Sequence, residues 1–190
     1  VSGGGGFTGI TKGSDLSLGA ILSQETSTNA GNIVVTNNSL ISTKGVNSAG
    51  LLAQSIAGGG GASSTSEGTK IGLGSIADIQ GKNIQANSGN LNLVNTGNIS
   101  TVNDGSAALL VQSIGGGGGY ISQTESGDSE YVITVGSNGN IETISGDINV
   151  ENTAEQIQTE GTYSPGLTIQ SIGGGGGFAL IDARSKEETR

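Results

Sequence analysis

The chain has 190 residues, 37 of them glycine, and glycine, serine, threonine and asparagine together make up about half of it. Only 32% is hydrophobic and 3% aromatic, with one proline, no cysteine, methionine, tryptophan or histidine, and a net charge of −9. Without His or Cys there is no Cys/His zinc site, thiol nucleophile, Ser-His-Asp triad or disulfide framework; no apolar run approaches the roughly 18 residues of a membrane span, and the charge has the wrong sign for a nucleic-acid groove or an anionic membrane surface.

What remains is an all-β chain with a thin core. It reads as a single segment of a longer protein, because it starts at Val1 with neither a start methionine nor a signal peptide. VSGGGGF at the beginning has the form of a repeat tail. GNIVVTNN from Gly31 places Ile33 and Val35 two apart, the period of a strand with one dry face. Asn37-Asn38 closes that run as a turn, and Ile41-Ser42-Thr43 predicts a second short strand. AGLLAQSIAGGGGA then spans Ala49 to Ala62.

The same sentence recurs. GNLNLVNT from Gly89, Ile99-Ser100-Thr101 and AALLVQSIGGGGGY form the second copy; GDINVENT from Gly146, Ile157-Gln158-Thr159 and PGLTIQSIGGGGGF form the third. Ile56, Ile114 and Ile172 stand 58 apart. The boundaries are about 1–56, 57–114 and 115–172, with a partial unit over 173–190. Fixed periods of this length mean stacked repeats, in which coils too small to bury a core alone cover one another. Each aliphatic side chain so buried contributes roughly 1.5–3 kcal/mol, and recurring Asn and Thr at corners form side-chain ladders. A unit this long is expected to hold two or three coils. The short apolar beats from Ile71 to Ile84 and from Val132 to Ile144 are taken as parts of them.

Four glycine runs, at 3–6, 58–61, 115–119 and 173–177, keep the same spacing, and the three complete copies share the preface Gln-Ser-Ile. A flexible linker needs neither. Ordering glycine costs entropy, so a recurrent run marks places where no Cβ fits. There is no GxxxxGK[ST] for a phosphate, and no Asp follows a run as a calcium nonapeptide requires. Gln54, Gln112 and Gln170 read as structural: a strand Gln can bond a neighbouring coil or a glycine carbonyl.

GLLAQSIAGGGG, ALLVQSIGGGGG and GLTIQSIGGGGG, with their I-x-T and G-[ND]-[IL] strands, resemble the repeats of large passenger domains in Gram-negative autotransporters, the type V secretion proteins. Ala57 departs from the pattern at the first glycine of one run, and Thr168 at a leucine. The resemblance implies a right-handed parallel β-helix (a β-solenoid), a bacterial cell-surface or extracellular location, and an outer-membrane barrel elsewhere in the parent. It also implies a role as stalk, adhesin or display module toward host or bacterial surface ligands. It supplies no catalytic residue, and nucleic acid is not an expected partner.

No Lys or Arg stands between Lys82 and Arg184, and most of the acids lie in that interval. They read as a solvated face. The densest group, Glu125, Asp128 and Glu130, is the weak candidate for calcium held by carboxylates and carbonyls, although it matches no EF-hand spacing. No cofactor is otherwise expected. Parallel β-helices also carry polysaccharide-active enzymes, where paired carboxylates cleave glycosidic bonds; here that is analogy of fold alone, and five aromatic residues give little to stack a sugar on. The sequence therefore points to a non-enzymatic surface segment. The alternative is a subunit of a self-assembling extracellular filament, joined by end-to-end pairing of open strand edges.

Overall fold

The computed structural model describes residues 4–10, 16–18, 21–22, 27–65, 71–73, 76–77, 84–123, 133–135 and 141–181. Every regular element among them is a β-strand. The first pass of the chain makes β1 (Gly4–Ile10), β2 (Leu16–Leu18), β3 (Ile21–Leu22), β4 (Ser27–Asn29), β5 (Ile33–Asn37), β6 (Ile41–Thr43) and β7 (Leu51–Ile56). The second makes β8 (Gly59–Thr65), β9 (Ile71–Leu73), β10 (Ile76–Ala77), β11 (Ile84–Asn87), β12 (Leu91–Asn95), β13 (Ile99–Thr101) and β14 (Leu109–Ile114). The third makes β15 (Gly119–Gln123), β16 (Ile133–Val135), β17 (Ile141–Ile144), β18 (Ile148–Asn152), β19 (Ile157–Thr159) and β20 (Leu167–Ile172), and β21 (Gly177–Ile181) begins a fourth.

These strands stack as parallel sheets, each built from equivalent strands of successive passes. The glycine-run sheet is four-stranded, in the order β1-β8-β15-β21, and β20-β14-β7, β18-β12-β5, β19-β13-β6 and β17-β11-β4 are three-stranded. This all-β arrangement is compatible with the expected solenoid. Register follows the sequence copies: Ile114 sits between Ile56 and Ile172, and Gln112 between Gln54 and Gln170. Gly4 lies opposite Gly59, as it does when VSGGGGF is aligned on QSIAGGGG. The spacing departs from 58 over the start of each unit: Gly4 pairs with Gly59, and Ile71 pairs with Leu16 on one side and Ile133 on the other. It is 58 on both sides by β13, where Ile99 pairs with Ile41 and Ile157.

The expectation of two or three coils per unit is corrected here. Neighbours in a sheet are the same position of successive units, so each unit contributes one strand to each sheet. The short apolar beats are strands of different sheets within one pass, not successive coils of one sheet. The physical reason lies in β14, which is buried along its whole length. Leu109 and Val111 pack with Ala53, Leu91, Leu93, Ile99 and Ala108, while Leu110 packs with Ala62, Ala107 and Tyr120. Two cores share β14 as a wall, so one pass wraps around both and consumes a long unit. A strand with one dry face behaves differently: in β12 Leu91, Leu93 and Asn95 are buried while Asn92 and Val94 face out.

Candidate functional site

The chemistry that recurs is a set of polar columns running from pass to pass, and the glutamines form the clearest of them. Gln54 Nε2 donates to Gln112 Oε1 at 2.6 Å, and Gln112 Nε2 donates to Gln170 Oε1 at 2.6 Å. The same three amide nitrogens also donate to glycine-run carbonyls, of Gly6 at 3.4 Å and of Gly61 and Gly119 at 3.3 Å. The series is thus structural, and it does both of the things expected of it: it ties coil to coil and it satisfies glycine carbonyls that have no side chain of their own to shield them. Gln112 is fully buried, so an unmade bond there leaves an amide without water, at a cost of about 1–3 kcal/mol.

The next residue in each copy points the other way. Ser55, Ser113 and Ser171 donate through Oγ to the carbonyls of Gly31, Gly89 and Gly146 at 3.1, 3.0 and 3.0 Å. Gly89 N in turn donates to Ser55 Oγ, and Gly146 N to Ser113 Oγ, both at 2.9 Å. Each of these two hydroxyls clamps the corner before a G-[ND]-[IL] strand to the same corner one pass on. Asparagines close the far end of that strand: Asn37 Nδ2 donates to Asn95 Oδ1 at 2.7 Å and Asn95 Nδ2 to Asn152 Oδ1 at 2.6 Å.

A third kind of contact sets the turn before the QSI strand. Ser48 N donates to Ser106 Oγ and Ser106 N to Ser164 Oγ, both at 2.9 Å. The residue before each serine is left-handed: Asn47 at φ 55°, Gly105 at φ 68° and Tyr163 at φ 54°. Asn tolerates this backbone, whereas for a side chain such as Tyr it costs roughly 1–2 kcal/mol. The Tyr163 carbonyl is held by Tyr120 Oη at 3.3 Å and Ser122 Oγ at 3.0 Å. Burial pushes the Tyr120 hydroxyl up to about 12, with a hydrogen bond to Ser122 pulling the other way. Its ring stacks on Phe178 of the next pass, centroids 6.2 Å apart. Among the described residues, the buried atoms Asn47 Nδ2 and Oδ1, Thr28 Oγ1 and Ser63 Oγ find no partner.

The glycine runs are ordered walls. A Cβ on Gly61 would meet the carbonyl of Gly6, one on Gly118 that of Gly176, and one on Gly119 that of Gly61. At these three positions the backbone of a neighbouring pass lies too close for a side chain.

Glu125, Asp128 and Glu130, the calcium candidates, lie outside the described residues. Among the described residues no three His, Cys, Asp or Glu side chains come together as a metal set. Glu142, Asp147, Glu151, Glu155 and Glu160 sit on the exposed surface of the third pass; Glu142 Oε2 accepts from Gln85 Nε2 at 3.2 Å.

Comparison with protein-family models, curated proteins and solved structures returns no match.

Sequence reasoning found the glutamines but passed over the serines beside them and the serine before each QSI strand. The signal was present, since Ser48, Ser106 and Ser164 keep the 58-residue step. Serine is common throughout this chain, however, so recurrence at one position carries little weight by inspection. The left-handed turn position was hidden for another reason: its occupant changes from Asn to Gly to Tyr.

Proposed function

We propose that this chain is a stretch of right-handed parallel β-helix built from repeats of about 58 residues, one repeat to each turn. In this reading it serves as a non-enzymatic stalk and display surface on the exterior of a bacterium, within an autotransporter-like protein. Its partners are the remainder of that protein, including an outer-membrane barrel, and surface ligands met by its side faces. The observation that carries the reading is the contrast between columns. Hydrogen-bonded columns such as Gln54, Gln112 and Gln170 keep their chemistry from pass to pass, because each member bonds the next. Outward columns change freely, as where Val34, Asn92 and Asn149 stand in register. A stack with a constrained interior and an unconstrained exterior gains height by adding passes and can vary what it presents.

The test is to insert one, then two, further copies of residues 57–114 and to measure the protein by small-angle scattering. Each added copy is expected to lengthen the particle by one strand spacing, about 4.8 Å, at constant cross-section. A widening cross-section, or an expanded coil, overturns the reading.

A further inference from the structure

The outward face of the sheet formed by β4, β11 and β17 carries an amide column that stops short. Asn87 Nδ2 donates to Asn29 Oδ1 at 3.1 Å, and Asn29 Nδ2 to Ser27 Oγ at 3.4 Å. The Asn87 amide is thus turned back toward the first pass, and its Oδ1 toward the third. There its register partner is Ile144, which has no side-chain donor and is 65% exposed. One row along, Glu142 Oε2 accepts from Gln85 Nε2 at 3.2 Å. Asn87 Oδ1 and Glu142 Oε1 accept from no described group. Together Gln85, Asn87, Glu142 and Ile144 line a depression of about 70 Å³. It lies on the side of the stack, between β11 and β17, so passes added at either end do not cover it.

We infer that this depression is a docking point for an arginine side chain of a basic polypeptide partner. The chemistry of the lining selects that occupant. A carboxylate and a second acceptor call for a cation with several N–H groups, and a guanidinium presents them as a planar fork. Ile144 supplies hydrocarbon for the methylene stem to cover. The space takes the head of one side chain rather than a ring-sized ligand, and Glu142 repels an anion. Charge over the rest of the chain agrees. Residues 83–181 hold nine acids and no base, while the remainder holds seven of each, so the whole net charge of −9 lies on that stretch. Glu142, Asp147, Glu151, Glu155 and Glu160 stand exposed on the third pass, and their field draws a cationic segment toward it.

The substitutions along the columns point the same way. Glu142 stands beside Gln85 in register. Asp147 N bonds Asn90 Oδ1 as Asn90 N bonds Asn32 Oδ1, so Asp147 takes an amide's place. In both columns a carboxylate replaces a carboxamide of the same shape, which changes charge and leaves packing as it was. Among the described residues neither carboxylate has a basic partner. Ile144 makes the opposite exchange, hydrocarbon for the carboxamide of Asn87. One carboxamide gains charge and its neighbour loses polarity, and the pair suits a cation carried on an aliphatic stem.

This inference deepens the display reading proposed above and rests on it, and the test separates the two. The full chain, isotopically labelled, is titrated at low salt with the peptide acetyl-Gly-Arg-Gly-Arg-Gly-amide and followed by the NMR shifts of its backbone amides. Matched peptides carry lysine, or the neutral isostere citrulline, in place of arginine. Shifts at Gln85, Asn87, Glu142 and Ile144 are expected with the arginine peptide, smaller ones with lysine and none with citrulline. Glu142 and Ile144 are exposed, so their replacement leaves the fold intact. Glu142→Gln is expected to weaken binding about three- to fivefold. Glu155→Gln removes a charge from the same pass without touching the depression and is expected to stay within about twofold. Ile144→Asn extends the amide column, and is expected to abolish the shifts and raise the melting temperature. An equal response to the lysine or citrulline peptide, shifts confined to other residues, or equal losses from Glu142→Gln and Glu155→Gln overturn the docking point. So does a chain that binds nothing while its strand amides stay protected from exchange, and that result leaves the display reading standing. Amides that exchange freely throughout overturn the stack, and both readings with it.

Discussion

At the scale of single residues, the fold is held by side chains that each serve two passes. Tyr120 shows how much rests on one of them. The side chain is buried, its ring stacked on Phe178 and its hydroxyl bonded to the Tyr163 carbonyl, so ionisation is opposed by desolvation and the folded-state value rises from 10 to about 12. The neutral form is the one the fold favours. Stability from this group is therefore complete below pH 10, falls once the unfolded chain begins to ionise, and is gone above pH 12. Linkage puts the loss at about 2 kcal/mol over that window. Urea denaturation between pH 9 and 11.5 is expected to show the decline, and Tyr120→Phe to flatten it. The environment that causes this was not readable from the chain. The sequence places Tyr120 after a glycine run, but its partner carbonyl comes from a turn 43 residues later.

At the scale of elements, the glycine runs are not uniform. Gly118 has φ +115° and a Cβ there would meet the Gly176 carbonyl, whereas a Cβ on Gly115 comes to 2.9 Å from the Ile144 carbonyl at an ordinary backbone angle. Ala57 fills the place equivalent to Gly115 in the first copy and is fully buried there, so that position tolerates a methyl group with a small adjustment. Gly118→Ala is expected to cost about 3 kcal/mol or more, through strain and overpacking together, and Gly115→Ala about 1 kcal/mol. Equal losses in thermal or chemical melts would contradict the wall. The strands themselves were legible: Ile33 with Val35, Leu91 with Leu93, and the I-x-T triplets all fall in strands at the places their period predicts. What the period could not reveal is that β14 is dry on both faces, since Leu109-Leu110-Val111 reads the same whether one core or two lie beside it. The length of the unit alone therefore does not fix how many coils it holds.

At the scale of the whole molecule, stability has a direction. Inward residues of β12, β13 and β14 in the second pass are fully buried, while those of β5 and β6 in the first pass and β18 and β19 in the third are half-buried or exposed, and each pass is held by its neighbours. Local opening should therefore start at the two ends. Hydrogen exchange is expected to be slowest in β12, β13 and β14 and faster in β5, β6 and in β18, β19, with an intermediate order for no pair of sheets; uniform protection across the passes would show a single cooperative block instead.

The single strand that each unit gives to each sheet has a consequence for economy of scale. Stretched out, one unit would reach roughly 190 Å at about 3.3 Å per residue; folded, it raises the column by one strand spacing. A protein made this way gains stature slowly and girth at once, so a tall version demands a very long polypeptide, while even a short one offers broad flanks. Deleting or duplicating one unit in the gene would trim or raise the tower by a single storey and leave every remaining floor resting on a floor of the same plan.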